Sequence, residues 1–487
     1  MNVQKKHLRD NARRHDPKRR STKRFSISSQ VIRGLMIAVD SIVILSTGLI
    51  SYNLIVIYGE PSYYAAAVAF VWLVSIMLLN FAGLYDFDAV TRPSTIIDKI
   101  AVVFLTTFSF LLAAAFALKM SAEYSRVWTG GFALSVCAAT LMVRIIAAQI
   151  IRHLADRNIF SRNVVVVGSG DQMGKLLDQI QASQPRFITL LGIFAERRLN
   201  LDAGASHFPM LGTPDELPSY IRNNNVDDVI ICLPWSADDR ITAVMDMLRE
   251  LPVNAYLGTD LIGFHLPMRR APDHFEELPL VEVMGRPLAG WGGIQKSALD
   301  YGLGILLTIL LLPLMSLIVI AIRLESKGPA IFRQQRYGFI NRTFEIYKFR
   351  TMKHAETQEG KIVQATRHDP RVTRIGRILR RLSLDELPQI FNVLNGTMSL
   401  VGPRPHAVQH NEEYAQMIRG YFARHRVKPG MTGWAQVNGF RGETDTIKKM
   451  ETRVQYDIHY VENWSLLFDL KILLMTAVIC LTGRNSY

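Results

Sequence analysis

Four long apolar runs occupy the first third of the chain, at roughly 34–57, 64–84, 100–118 and 128–146. Each approaches the ~20 residues that cross about 30 Å of hydrocarbon, so the pattern predicts a membrane bundle of four α-helices over 31–150. The pattern then changes. Asn163-Val-Val-Val-Val-Gly-Ser-Gly170 is a continuous strand-like run ending in a glycine turn, and Met173, Leu176, Leu177 and Ile180 follow at helical spacing. Strand-like runs at 189–194 and 226–233, a helix near 239–251 and a further strand predict a parallel, Rossmann-like α/β domain over 161–265. Residues 266–295 read as a linker. A fifth apolar run, 299–322, carries Pro313 near its middle.

Charge sets the topology. Of the formal net charge of +14, eight units lie between Met1 and Phe25, where ten Lys or Arg face only Asp10 and Asp16. Basic groups gather again after the fourth run, at Arg152, Arg157 and Arg162, while the 58–62 connection has none. The positive-inside rule puts both ends of the bundle in the cytoplasm. Residues 1–30 then form a disordered cytoplasmic tail near anionic lipid. Nucleic acid is not expected as a partner, because no aromatic side chains interleave the charges. Arg144 sits near the cytoplasmic end of the fourth helix, where it can snorkel to the interface.

The fifth run is read differently. Both of its flanks are basic, with Lys296 before it and Arg323, Lys327, Arg333 and Arg336 after it. Pro313 removes a backbone donor and breaks the helix. A re-entrant helix that bends at Pro313 and leaves on the side it entered satisfies both observations. Thr308 and Ser316 are near enough in sequence to bond the freed carbonyls.

Candidate chemistry falls in two places. Gly168, Gly170 and Gly174 give GxGxxxG, one residue longer than the dinucleotide fingerprint, with Glu196 as a ribose partner. The loop reads either as a nucleotide site or as a plain tight turn. Asp385 and Glu386 are adjacent carboxylates at an expected helix start, with Ser383 as its cap. With a divalent cation such a pair can neutralise a diphosphate while one carboxylate attacks phosphorus. Lys348, Arg350, Arg380, Arg381 and Arg404 suit an anionic substrate. The alternative is an ordinary capped helix beside surface charge. Cys137, Cys232 and Cys480 form no CxxC pair and read as packing residues. His354, His368, His406, His410, His425 and His459 lack zinc-ligand spacing and read as surface or cap residues. The 464–481 stretch reads as packing at a core or membrane interface.

From about Lys296 onward the chain resembles the bacterial sugar transferases, the monotopic polyprenyl-phosphate phosphoglycosyl transferases. The resemblance rests on GPAIFRQQRYG, YKFRTM, LSLDELPQIFNVLNGTMSLVGPRP, KPGMTG and YDIHYVENWSLLFDLKIL, in that order. The membrane bundle and Rossmann-like domain resemble the larger subgroup, which starts exopolysaccharide or O-antigen repeat units. The resemblance implies an α-rich mixed catalytic domain over 296–487, with its re-entrant helix at 299–322. It implies that Asp385 attacks the β-phosphate of a UDP-sugar, releasing UMP, and that undecaprenyl phosphate then takes the phosphosugar. Glu386 with Asp385 would hold Mg²⁺. Lys348, Arg380 and Arg404 fall at phosphate-binding positions, and Asp457 joins the same cluster. The implied location is the bacterial inner membrane, with the catalytic domain on the cytoplasmic face of the bilayer. Glucose is the expected sugar and galactose the alternative, and a homodimer through the N-terminal parts is expected. A dehydratase or epimerase is disfavoured, since no tyrosine has a lysine four residues later. A non-catalytic scaffold is disfavoured by the intact DELPQ and GPRP motifs.

Overall fold

The computed structural model describes residues 29–91, 96–156, 161–183, 187–196, 208–234, 236–258, 280–352, 371–406, 408–440 and 446–482. Most of the expected basic tail, part of the expected linker, Arg157, His354 and His368 lie outside them. The chain divides into two compact units, residues 1–162 with 186–189, and residues 163–185 with 190–487.

The first unit is helical: α1 (Ser29–Ile55), α2 (Pro61–Phe81), a short α3 (Phe87–Thr91), α4 (Ile97–Ala117) and α5 (Arg126–Asp156). In α1 the buried positions are Met36, Asp40, Ile44, Gly48 and Ser51, one face at i, i+4 spacing. The opposite face, with Leu35, Ile42, Leu49 and Leu54, is exposed and apolar, as a lipid-facing surface should be. Gly48 is a contact residue, because a Cβ there would lie 2.6 Å from Val68. Trp128, Phe132, Tyr64 and Phe108 fill the middle of the unit. Arg144 does not snorkel. It is 1% exposed, 2.6 Å from Asp40 on α1, bonded to the Leu84 carbonyl and seated over the Tyr85 ring. In hydrocarbon an internal partner costs less than exposing the charge.

A sheet follows, nearly all of it in the second unit, of β1 (Arg162–Gly168), β2 (Ile188–Phe194), β3 (Met210–Gly212), β4 (Asp228–Cys232), β5 (Asn254–Gly258) and β6 (Leu280–Met284). Their order is β3-β2-β1-β4-β5-β6. The β1–β4, β4–β5 and β2–β3 pairs are parallel, whereas β6, from the stretch expected as linker, runs antiparallel to β5. Between the strands run α6 (Asp171–Ser183), α7 (Leu217–Asn223) and α8 (Asp238–Leu248). Continuous burial of β1 and β4 explains their unbroken Val/Ile runs.

Next comes α9 (Trp291–Glu325), whose helical assignment continues through Pro313 rather than breaking there. The Thr308 and Ser316 hydroxyls bond the carbonyls of Gly304 and Leu312, not the one that Pro313 leaves without a donor. Lys296, the basic residue before the fifth run, is buried. Its Nζ donates to the Val401 carbonyl at 2.8 Å and lies 2.6 Å from Asp469. The remainder is a β7–β8 hairpin (Ile331–Tyr337, Thr343–Phe349), α10 (Arg374–Arg381), α11 (Gln389–Leu394), β9 (Ser399–Val401), α12 (Val408–Met417), β10 (Gly430–Thr432), α13 (Trp434–Val437), α14 (Ile447–Glu462) and α15 (Leu466–Thr482). Among the described residues, five helices are long and apolar enough to cross a membrane: α1, α2, α4, α5 and α9.

Candidate active site

Asn392 assembles the site, although its position in the sequence gave no sign of it. This fully buried amide on α11 accepts from the Tyr347 N–H at 3.0 Å and donates to the Glu345 carbonyl at 2.7 Å. It thus satisfies the open edge of β8 and ties the segment before α11 to the strand that carries Lys348. That segment is not the expected capped helix. Residues 384–386 make a single 3₁₀ turn, and Ser383 adopts a left-handed φ of 57° without capping it. The sharp entry lets consecutive residues 385 and 386 meet different partners.

Glu386 is saturated. Its Oε1 accepts from Lys348 Nζ at 2.7 Å and Arg404 Nη2 at 2.5 Å, and its Oε2 from Arg404 Nη1 at 3.1 Å. Burial pushes its carboxyl up, but Arg404 and Lys348 outweigh burial and hold it well below the usual carboxylate range. Asp385, half-buried, makes no hydrogen bond or ion pair among the described residues. Burial, and then the Glu386 charge, push its carboxyl up, against the pull of Lys348, Arg404 and Arg380. Two neighbouring carboxylates with their affinities for protons driven apart are suited to two different tasks.

The loop after β9 delivers Arg404. Gly402 has no room for a side chain, since a Cβ would lie 2.5 Å from the Lys428 carbonyl. The structure therefore brings Lys348, Glu386 and Arg404 into contact beside Asp385. Arg380 stands nearby, its Nε donating to Thr351 Oγ1 at 2.9 Å. Asp457 is not in this contact set. It is 2% exposed on α14 and pairs with Arg424 at 2.8 Å. Arg424 itself sits in a buried run, Arg424-His425-Arg426, of which the sequence reading took His425 as a surface or cap residue. No group of three or more His, Cys, Asp or Glu among the described residues could cage a metal ion.

The glycine loop is distinct from this site. A Cβ at Gly168 would lie 2.1 Å from the Cys232 carbonyl, and Gly170 has a φ of 80°, so both are required by the turn. Gly174 meets nothing within 4 Å, unlike the third fingerprint glycine, which permits close helix–strand packing. Glu196 pairs with Arg240 at 3.0 Å.

Residues 291–483 match the bacterial sugar transferase family, and residues 80–258 match the CoA-binding domain family. Among similar proteins, a UDP-glucose:undecaprenyl-phosphate glucose-1-phosphate transferase of Xanthomonas campestris pv. campestris is 35% identical over 92% of this chain and 93% of its own. An enzyme of the same description from Escherichia coli K12 is 36% identical, over 74% of this chain and 76% of its own. A UDP-N-acetylgalactosamine-undecaprenyl-phosphate N-acetylgalactosaminephosphotransferase of Aeromonas hydrophila is 39% identical, over 44% of this chain and 49% of its own. Because the Xanthomonas enzyme is alike over nearly the whole length of both chains, and residues 291–483 match the family itself, the chain belongs to the bacterial sugar transferase family.

Proposed function

We propose that this membrane protein transfers glucose 1-phosphate from UDP-glucose to undecaprenyl phosphate, the first membrane step of exopolysaccharide assembly. The observation that carries the reading is the open Asp385 carboxylate beside a Glu386 fully engaged by Lys348 and Arg404. A carboxylate without competing donors, made more basic by burial, is a competent nucleophile. An Asp385 oxygen attacks the β-phosphorus of UDP-glucose, and the bond from that phosphorus to the bridging oxygen breaks, so UMP leaves with the electron pair. The phosphate oxygen of undecaprenyl phosphate then attacks the same phosphorus. The Asp385–phosphorus ester breaks and the carboxylate is regenerated. Lys348, Arg380 and Arg404 offset the charge of the diphosphate and of the leaving UMP.

The donor set fits a substrate-borne Mg²⁺. This ion is commonly held by one or two carboxylates plus phosphate oxygens rather than by an all-protein cage; Asp385 is open to supply one, whereas Glu386 would have to release Lys348 or part of the Arg404 fork to supply the second. When bound there it would neutralise diphosphate charge.

The location that suits this chemistry is the cytoplasmic face of the inner membrane, with α9 re-entrant. Both ends of α9 are fastened to one catalytic body: Lys296 to Val401 and Asp469, and Glu325 to the Arg374 N–H at 2.7 Å. A helix crossing the bilayer would put one of these two contacts on the far side. Gly168, Gly170 and Gly174 are read as a structural turn, and the Asp171 charge in the first turn of α6 weighs against an anion there.

UMP release from a panel of UDP-sugars, with undecaprenyl phosphate and Mg²⁺, tests the reading. UDP-glucose should be used best. Equal or better use of UDP-galactose or UDP-N-acetylgalactosamine would overturn the sugar, and no release from any donor would leave a scaffold. Asp385→Asn should abolish both turnover and the trapped phosphosugar adduct.

A further inference from the structure

Behind the carboxylate pair lies a buried polar cluster that this chemistry does not use. Arg424, in the 3₁₀ turn Tyr421–Arg426, is 1% exposed. Its Nη2 donates to the Arg404 carbonyl at 2.6 Å and lies 2.8 Å from Asp457 Oδ2. Its Nη1 lies 2.7 Å from His406 Nδ1, and the Tyr421 hydroxyl approaches the same nitrogen at 2.6 Å. One guanidinium therefore holds the backbone of residue 404 and the side chain of residue 406.

The loop needs such a hold. Pro403 and Pro405 have no N–H, which limits backbone bonding on this stretch. The neighbouring β10 region secures only its beginning, where the Gly402 N–H donates to the Thr432 carbonyl and the Gly430 N–H to the Pro403 carbonyl. Arg404, the next residue, must nevertheless present both ends of its guanidinium to Glu386. A buried arginine also needs a counter-charge, because an uncompensated one is strongly destabilising. Asp457 supplies it, with Arg453 as a second buried cation nearby.

We propose that Arg424, held by Asp457, is a positioning residue that aims the Arg404 fork at Glu386 and so leaves Asp385 as the open carboxylate. This inference rests on the function proposed above, and it gives Asp457 a role through Arg424 rather than on phosphate.

The test is steady-state UMP release by the full-length protein with UDP-glucose, undecaprenyl phosphate and Mg²⁺. Arg424→Lys keeps a charge for Asp457 but cannot span the Arg404 carbonyl and His406 together. Its kcat should fall about tenfold or more while KM for UDP-glucose stays within about threefold, the signature of an interaction that matters in the transition state. Combined with Arg404→Lys, it should lose no more than the worse single variant, since both loosen one fork. Asp457→Asn, nearly isosteric, should give the same split and stands in if Arg424→Lys does not fold. Additive losses, or an unchanged kcat in either folded variant, would overturn the proposal. Loss of folding in both variants would also overturn it by assigning the pair to stability alone. A wild-type protein that released no UMP would instead defeat the proposed function, and this inference with it.

Discussion

Arg404 meets Glu386 with both ends of its guanidinium, at 2.5 and 3.1 Å, while Lys348 takes a share of the same carboxylate at 2.7 Å. Glu386 thus orders two cations, at the cost of its own availability as a nucleophile. Glu386→Gln keeps the shape and removes the charge that holds them. We expect kcat for UMP release to fall about 100-fold, roughly the loss of one strong charge-assisted contact in a transition state. The trapped Asp385 adduct should still form, slowly, which single-turnover quenching would detect.

The cluster around Arg424 makes stability depend on pH. Burial, and then Arg424 and Arg453, hold His406 well below its ordinary value of 6.5, and burial with Arg424 and Arg222 does the same for His425. The unfolded chain takes up these protons near pH 6.5, and the folded chain only at lower pH. Their contribution is therefore complete above about pH 6.5 and declines as pH falls from there through the folded values. The unfolding midpoint should drop between pH 7.5 and 5.5, and His406→Gln should flatten that drop. An equally steep fall in His406→Gln would exclude this origin.

The glycines of the sheet domain separate by geometry. Gly174 lies in α6 with open space at its Cβ position, so Gly174→Ala should stabilise by about 0.5–1 kcal/mol through helix propensity. Gly168→Ala would drive a methyl into the Cys232 carbonyl and should lower the yield of folded protein sharply. Thermal melts of the two purified variants check the pair. A destabilised Gly174→Ala would argue that something docks on that helix start.

Elements with a strong period were legible in the sequence: the apolar runs that became α1, α2, α4, α5 and α9, and the Val/Ile runs of β1 and β4. The charged residues Lys348, Glu386 and Arg404, singled out by type in the sequence, do come into contact beside Asp385. What sequence could not supply was pairing across distance. Asn392 reaches a strand edge 45 residues away, and Arg424 reaches the residue-404 carbonyl 20 away. Neither stands out by type or spacing. Serine favours caps, but Ser383 caps nothing with its side chain; its left-handed φ turns the chain into the site. A proline predicts a break in α9, but the helix continues through Pro313.

Asp40 and Arg144, 104 residues apart, are another such pair, at 2.6 Å inside the membrane unit. Removing one partner leaves an uncompensated buried charge. Arg144→Met or Asp40→Leu alone should therefore cost on the order of 3–5 kcal/mol, whereas the double replacement should recover most of the loss. Yield of folded protein in detergent and its melting temperature read this directly. Equal damage in single and double variants would mean that the charges do more than balance each other.

The re-entrant reading of α9 turns on where its two ends lie. At about 1.5 Å per residue, its 35 residues reach about 50 Å, more than the hydrocarbon thickness. Length alone therefore permits a tilted span. The buried tie at Lys296 and the surface tie at Glu325 both reach residues of the fold that carries Asp385, which favours having the two ends on one side. Ser297→Cys and Lys327→Cys, each made after replacing the three native cysteines, sample the two ends. An impermeant thiol reagent should label both in inside-out vesicles and neither in intact spheroplasts. Labelling of the two positions from opposite sides would make α9 a true span and would move the carboxylate pair away from the cytoplasm, where UDP-glucose is found. Asp469→Asn, which removes the nearer of the two carboxylates beside Lys296, should loosen the first end without changing the side from which either residue is labelled.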